Sequence, residues 1–161
     1  MHIKERLSLS FGFTLLELII VFTVIAILST IGIASFVNYS RAQSLQTAAV
    51  KLASTLNLAK SSANSQVKPS QCSGTLSGYQ VDILTTTTYS LSVFCPEVHL
   101  IQTTTLPDNG NIKFNLVLGQ TTTTSIFFPV ITSGVQGGGN IVLTAYGQAK
   151  TIKIDNEGNI K

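Results

Sequence analysis

The sequence predicts an α+β protein in which one long N-terminal helix is followed by a β-rich head. From Leu18 to Ser40 the chain runs for 23 residues without a formal charge. Apolar residues then continue at helical spacings of three and four as far as Ala63. After Val67 the pattern changes to short alternating segments bounded by glycine, proline and asparagine, which is typical of antiparallel strands.

The charge-free segment is long enough to cross a membrane. At about 1.5 Å per residue its length is roughly 35 Å, and a bilayer core is about 30 Å thick. Lys4 and Arg6 precede it, and positive residues hold that end of a spanning helix in the cytoplasm. Residues 13–40 are therefore predicted to form a single transmembrane helix.

One acid, Glu17, lies at the head of this apolar segment. Insertion scales assign an acidic residue at the centre of a spanning helix a cost of about 2.5 to 3.5 kcal/mol. A charge kept at such a cost indicates a use for it, and the natural use is pairing with a cation of a neighbouring molecule.

The string GFTLLELIIVFTVIAIL, which begins at Gly12, resembles the N-terminal signature of type IV pilins and pseudopilins. That signature is a short basic leader ending in Gly, then Phe, three further residues, Glu and an apolar helix. The resemblance covers about the first forty residues. It implies that residues 1–12 are a leader, that a prepilin peptidase cuts between Gly12 and Phe13, and that the new amine of Phe13 is methylated. It also implies that Glu17 meets the Phe13 amine of the next subunit in a filament.

An ordinary secretory signal peptide is the rival interpretation. Gly32-Ile33-Ala34 before Ser35 has the small-x-small pattern of its cleavage site. The apolar stretch is longer than the roughly 7 to 15 residues of a signal-peptide core, and Glu17 would be misplaced in it. The pilin-type leader is therefore preferred.

The helix is predicted to continue beyond the membrane as an amphipathic segment over residues 41–66. Its apolar stripe would pack on a sheet. Lys68-Pro69 is expected to end it near Gln66, because the residue before a proline disfavours the helical region. The stripe consists of Leu45, Ala49, Leu52, Leu56, Ala59 and Ala63.

Residues 67–161 are predicted to form the head, an antiparallel sheet or small sandwich covered on one face by the helix. Two alternating segments read as a hairpin, and a turn at Asn156–Asn159 leads to a last short strand. The strand candidates are Tyr79–Ile83, Tyr89–Phe94, Ile112–Leu118, Ser125–Ile131, Asn140–Ala145 and Lys150–Ile154.

The spacing of these C-terminal segments resembles the GspH/FimT group of minor pilins and pseudopilins. Some members of that group are implicated in DNA binding through a basic, arginine-containing tail. The tail here, Gly158-Asn159-Ile160-Lys161, has no arginine. Lys150, Lys153 and Lys161 are the possible DNA-binding residues, and the alternative is that they are solvated charges at strand edges.

Cys72 and Cys95 are the two cysteines of the chain. An exported head lies in an oxidising compartment, where a disulfide is plausible. Cys95 would follow the predicted hairpin at its open end, near the point where Cys72 enters. The alternatives are a disulfide, which is preferred, and two buried thiols.

The sequence predicts a structural subunit and no enzyme. Loss of Lys4, Glu5 and Arg6 with the leader would lower the net charge from +3 to +2, which is too little to imply nucleic acid on its own. His99 beside Glu97 is expected in a surface loop, and no cofactor or metal pattern accompanies it. The predicted product is a minor pilin or pseudopilin of a type IV pilus or type II secretion-like filament. It would span the cytoplasmic membrane once and then join other pilins. A DNA-uptake pilin is the alternative, and a membrane-anchored enzyme is a distant third.

Overall fold

The computed structural model describes residues 12–115, 124–131 and 134–161. It divides between Tyr39 and Ser40 into two compact units, and one continuous helix, α1, belongs to both. The prediction of a long N-terminal helix followed by antiparallel sheet is confirmed. The elements are α1 (Leu15–Asn64), β1 (Gly78–Ile83), β2 (Thr88–Phe94), β3 (Val98–Thr105), β4 (Lys113–Phe114), β5 (Ser125–Pro129), β6 (Gly139–Ala145) and β7 (Gln148–Ile154).

The helix ends at Asn64, slightly before the predicted end at Gln66. Gln66 has a positive φ of 51°, the left-handed conformation that stops a helix. The N–H of Val67 donates to the carbonyl of Ser62, and the N–H of Gln66 donates to that of Ala63. These two hydrogen bonds form a Schellman motif, so the backbone has already left the helix when the chain reaches Pro69.

The strands form two antiparallel sheets. The first has the order β3-β2-β1-β5, and the second has the order β4-β6-β7. The predicted hairpin is confirmed as β1–β2, with Val81 opposite Leu91. The predicted last strand is reduced to a single bridge between Ile160 and Ile154.

The core of the head lies between the C-terminal half of α1 and both sheets. Every residue of the predicted helical stripe is buried, and Leu52 and Leu56 have no exposed surface. Strand residues complete the cluster, among them Tyr79, Val81, Tyr89, Leu91, Val93, Ile126, Phe128, Ile141, Leu143, Ile152 and Ile154. The amphipathic pattern was therefore a correct guide to which face of the helix packs.

The prediction of a surface loop around His99 was wrong, because His99 lies on β3. This strand is at the end of its sheet, and Thr104 alone of its eight residues is buried. Its pairing with β2 also contains a bulge, since Ser92 faces Leu100 while Leu91 faces Gln102. Exposure and the extra residue, Ile101, remove the two-residue alternation by which strands are recognised.

The predicted strand over Ile112–Leu118 corresponds to the two-residue β4, and residues 116–118 lie outside the described residues. Ile112 is fully buried although it precedes the strand. Its burial in the core accounts for the apolar pattern that predicted an earlier start.

Candidate functional site

The proposed cleavage site lies at the start of the described chain. Gly12, Phe13 and Thr14 precede α1 without regular secondary structure, and Phe13 is 82% exposed. A Cβ placed on Gly12 would meet nothing within 4 Å. The fold therefore sets no steric requirement for glycine at this position, although the other eleven residues of the predicted leader lie outside the described part.

Glu17 has a structural role that the sequence analysis missed. Its backbone N–H donates to the hydroxyl of Thr14 at 3.2 Å, so Thr14 caps the helix. Thr14 and Glu17 have the Thr-x-x-Glu spacing of a capping box, which would have been the signal in the sequence. Glu17 also lies in the first turn, where the helix dipole favours an acid. Within the described chain, however, its carboxylate has no hydrogen-bonding or ionic partner.

The part of α1 before Ser40 exposes its large apolar side chains, from Leu15 at 78% to Tyr39 at 68%. By length and composition α1 is able to cross a membrane. Hydroxyl groups at two of its positions bond back to the helix: Thr23 donates to the carbonyl of Ile20 at 2.8 Å and Ser29 to that of Ile25 at 2.7 Å. Polar groups satisfied inside the helix suit a surface in contact with lipid.

A disulfide joins Cys72 to Cys95, with 5.8 Å between their Cα atoms. This confirms the preferred alternative. The bridge lies at the open end of the β1–β2 hairpin, where the hydroxyl of Tyr79 also donates to the carbonyl of Val67 at 2.6 Å. In the chain-entropy model a loop with a sequence separation of 23 contributes about 3 kcal/mol. The bridge thus ties the segment after the helix to the first sheet.

The structure brings two of the three candidate lysines to one place. Lys150 and Lys161 line a shallow groove between β7 and residues 46–57 of α1. Lys153 is an odd number of residues from Lys150 on the same strand, so its side chain lies on the opposite face. Lys150 and Lys153 therefore do not lie on one face of β7, and the backbone of Lys153 pairs instead with that of Lys161 through N–H to carbonyl hydrogen bonds of 2.9 Å in both directions.

Asp155 lies in the turn next to these lysines. Its carboxylate accepts hydrogen bonds from the backbone N–H of Asn159 at 2.7 Å and from the Asn159 side chain at 2.9 Å. These bonds are the main cause of a pKa below its ordinary value, and the charge of Lys161 adds to them. The carboxylate stays ionised beside the terminal lysine and offsets its positive charge.

A second group that the sequence analysis missed joins α1 to two loops of the head. The guanidinium of Arg41 lies 4.8 Å from the ring centre of Tyr146, and the Tyr146 hydroxyl donates to Asp108. This hydrogen bond raises the pKa of Tyr146. Tyr146 and Gly147 both have positive φ and form the two-residue turn between β6 and β7. A tyrosine is uncommon in that conformation, so neither the turn nor the contact is indicated by the local sequence.

A bound metal ion requires a cluster of ligating side chains. No cluster of three or more His, Cys, Asp or Glu residues that could hold a metal occurs among residues 12–115, 124–131 and 134–161. His99 is partly buried on β3. The expectation that the chain is not an enzyme stays a prediction.

Comparisons of the chain with protein-family models, with curated proteins and with solved structures find no match.

Proposed function

We propose that this chain is a structural subunit of a type IV pilus or type II secretion-like filament, of the minor pilin or pseudopilin kind. The leader ending at Gly12 is removed by a prepilin peptidase, and the amine of Phe13 is methylated. The chain spans the cytoplasmic membrane once before assembly. It then joins other pilins through the apolar part of α1, and Glu17 pairs with the Phe13 amine of its neighbour.

The observation that carries this proposal is an acid without a partner at the start of an exposed apolar helix. Glu17 lies in the first turn of α1, four residues after Phe13. The apolar side chains that follow are covered by nothing within the described chain. In a filament, those side chains would be buried between subunits, and the acid would need a cation to offset its desolvation. A terminal amine at Phe13 of the neighbour supplies that cation.

Gly12 supports the proposed cut through its lack of a structural role. Glycine costs conformational entropy on folding, and within the part of the chain that the structure describes no close contact or positive φ requires it at this position. A peptidase that approaches the backbone is expected to require a residue without a side chain at this position. The lysine and arginine of the leader agree with a cytoplasmic location of the cut.

Replacement of Gly12 by leucine is predicted to leave most of the chain uncut, because the added side chain blocks access to the bond. The measurement is the intact mass and N-terminal sequence of the full chain, extracted from membranes that contain a prepilin peptidase. The unaltered chain should begin at a modified Phe13. The control is Ser8→Ala, a change inside the leader that leaves the cleavage bond unaltered. A product that begins at Ser35 would identify a signal peptide and reject the proposal.

The second candidate function is DNA binding by the head, and one observation favours it. Lys150 and Lys161 converge on the groove beside α1, and further lysines at 51 and 60 lie on the same helix. Two cations near one groove can contact phosphates of a nucleic acid. So few contacts would give weak, salt-sensitive binding.

Changing both Lys150 and Lys161 to glutamate is predicted to abolish DNA binding if this second function exists. The measurement is fluorescence anisotropy of a labelled duplex with the full chain in neutral detergent, at low and moderate salt. Lys68→Glu together with Lys113→Glu is the control with the same change of charge away from the groove. An equal loss of DNA binding in both double variants would indicate a general effect of charge and would contradict binding at the groove. If the unaltered chain does not bind DNA, this candidate function is rejected.

A further inference from the structure

One end of the head is held at the point where the charge-free segment of α1 stops. Arg41 is the first charged residue after the 23 uncharged residues from Leu18 to Ser40, and its side chain is exposed. Its guanidinium lies 4.8 Å from the ring centre of Tyr146, in the turn between β6 and β7. A charge-free segment that crosses a membrane ends at the lipid surface, so both side chains would lie near that surface.

Tyr146 is an unexpected residue for the turn that it occupies. Its φ is 53°, and the following Gly147 has a φ of 74°. A two-residue turn of this kind favours asparagine or glycine, because a bulky side chain is costly in the left-handed region. Residues held in such a conformation occur most often where the side chain has a use. The ring is 39% exposed, so packing inside the head does not account for it.

Tyrosine and arginine are residue types that suit the boundary between lipid and water. A tyrosine ring lies at the level of the lipid head groups, and an arginine at the end of a spanning helix extends toward the phosphates. Here the Tyr146 hydroxyl donates to Asp108, and Arg41 lies against the ring. The charges of Asp108 and Arg41 are thus close together and offset each other, so the acid is not left to repel lipid phosphates.

An open cavity of about 460 Å³ lies beside the same turn. It is lined by residues 110–111, 113 and 144–149, which include one cation, Lys113, and no acid. Lys113 is exposed, and the amides of Asn111 and Gln148 add hydrogen-bond donors. A cation together with several donors is the combination that binds a phosphate. The cavity therefore suits the phosphate of a lipid head group.

We propose that the turn between β6 and β7 docks on the outer surface of the membrane that α1 crosses, with the ring of Tyr146 among the lipid head groups and Lys113 beside a lipid phosphate. Continuity with the exposed apolar part of α1 identifies the occupant, because a bilayer that covers this part reaches the residues directly after it. The inference rests on the membrane anchoring in the proposed function. It does not depend on cleavage at Gly12, on Glu17 or on the filament.

Fluorescence of a single tryptophan tests the contact, since the chain contains no tryptophan of its own. Tyr146→Trp places the reporter in the turn and preserves an aromatic ring beside Arg41. The full chain is reconstituted into vesicles of phosphatidylcholine and phosphatidylglycerol, with or without bromine on the acyl carbons nearest the head groups. Bromine quenches tryptophan only at short range, and we expect the brominated lipid to lower the emission by roughly half.

Val67→Trp is the matched control. Val67 is 52% exposed and follows the end of α1 at Asn64, which is roughly 35 Å from Arg41 along the helix. Its emission should not change with the brominated lipid. Equal quenching of the two tryptophans, or no quenching of the one at position 146, would overturn the proposal. If Tyr146→Trp loses its thermal unfolding transition, Gln148→Trp makes the same test from the other side of the turn.

A change of charge tests the phosphate contact. Lys113→Glu, combined with Tyr146→Trp, should lower the quenching by roughly half, because an anion then faces a negatively charged surface. Lys68→Glu is the control with the same change of charge, in the segment after α1. Equal effects of the two substitutions would overturn the placement of Lys113 beside a lipid phosphate.

Extraction with alkaline carbonate distinguishes failure of this contact from failure of the proposed function. An unquenched tryptophan at position 146, in a chain that resists extraction, rejects the contact alone. A chain that carbonate releases from the vesicles rejects the membrane anchoring, and the contact with it. Glu17→Ala should leave the quenching at position 146 unchanged, because Glu17 has no part in this surface.

Discussion

Glu17→Ala is expected to reduce incorporation of the chain into a filament by roughly 100-fold while leaving it folded and inserted in the membrane. The carboxylate has no partner within the described chain, so its removal breaks no internal contact. In a filament the Phe13 amine of the neighbour would be left without its counter-ion in an apolar surrounding. Leaving one partner of a buried ion pair uncompensated costs about 3 kcal/mol or more, from which the expected loss follows.

The matched control for this prediction is Thr14→Ala. The hydroxyl of Thr14 accepts the backbone N–H of Glu17 and caps the helix, and loss of a cap costs about 1 kcal/mol of helix stability. If the Glu17 charge served only to stabilise the start of the helix through the helix dipole, the two variants would lower incorporation to a similar small extent. If it pairs with the neighbouring amine, Thr14→Ala should assemble nearly normally and Glu17→Ala should not.

The measurement is the amount of each variant in the sheared filament fraction and in the membrane fraction of cells that express it. Each amount is divided by the total amount of that variant in the cells. Glu17→Gln separates charge from shape, since it keeps the size of the side chain and removes only its charge. It should behave as Glu17→Ala does. Normal incorporation of both variants at this position would contradict the pairing role.

Leu56→Ala is expected to lower the free energy of unfolding of the head by about 2 to 5 kcal/mol. Leu56 has no exposed surface and contributes to the core shared by α1 and both sheets. Removal of its side chain leaves a cavity that rigid strands fill only in part. For a head of this size the unfolding midpoint should fall by roughly 10 to 30 °C.

Leu58→Ala is the control for this second prediction. Leu58 lies two residues further along the same helix but is 55% exposed. Both variants change helix propensity equally, so the difference between their midpoints reports burial alone. The midpoint is measured by near-ultraviolet circular dichroism of the full chain in neutral detergent with the disulfide intact. Similar midpoints for the two variants would contradict the packing of this helical face.

The helix could be predicted from the sequence because its signals are local. A charge-free run of sufficient length and an apolar spacing of three and four depend on neighbouring residues alone. The stripe from Leu45 to Ala63 is buried as expected. The end of the helix was less well predicted, because Gln66 takes a left-handed conformation that is more typical of glycine or asparagine.

The roles of Gly12, Phe13 and Glu17 stay predictions, and they depend on short spacing along the chain. The sequence analysis also paired Cys72 with Cys95, because both flank one predicted hairpin. It treated Lys150, Lys153 and Lys161 as one group, whereas strand alternation places Lys150 and Lys153 on opposite faces of β7.

Features that belong to one element, such as the apolar run of α1 and the acid in its first turn, can be recognised from order and spacing along the chain. The exposed edge of β3, the groove beside β7 and the contact of Arg41 with Tyr146 depend on pairing between residues far apart in the chain. Such pairing is set by which apolar surfaces can be buried together, and that choice is made in three dimensions. The bulge at Ile101 illustrates the difference, since one additional residue hides a strand from its sequence pattern without preventing it from joining the sheet.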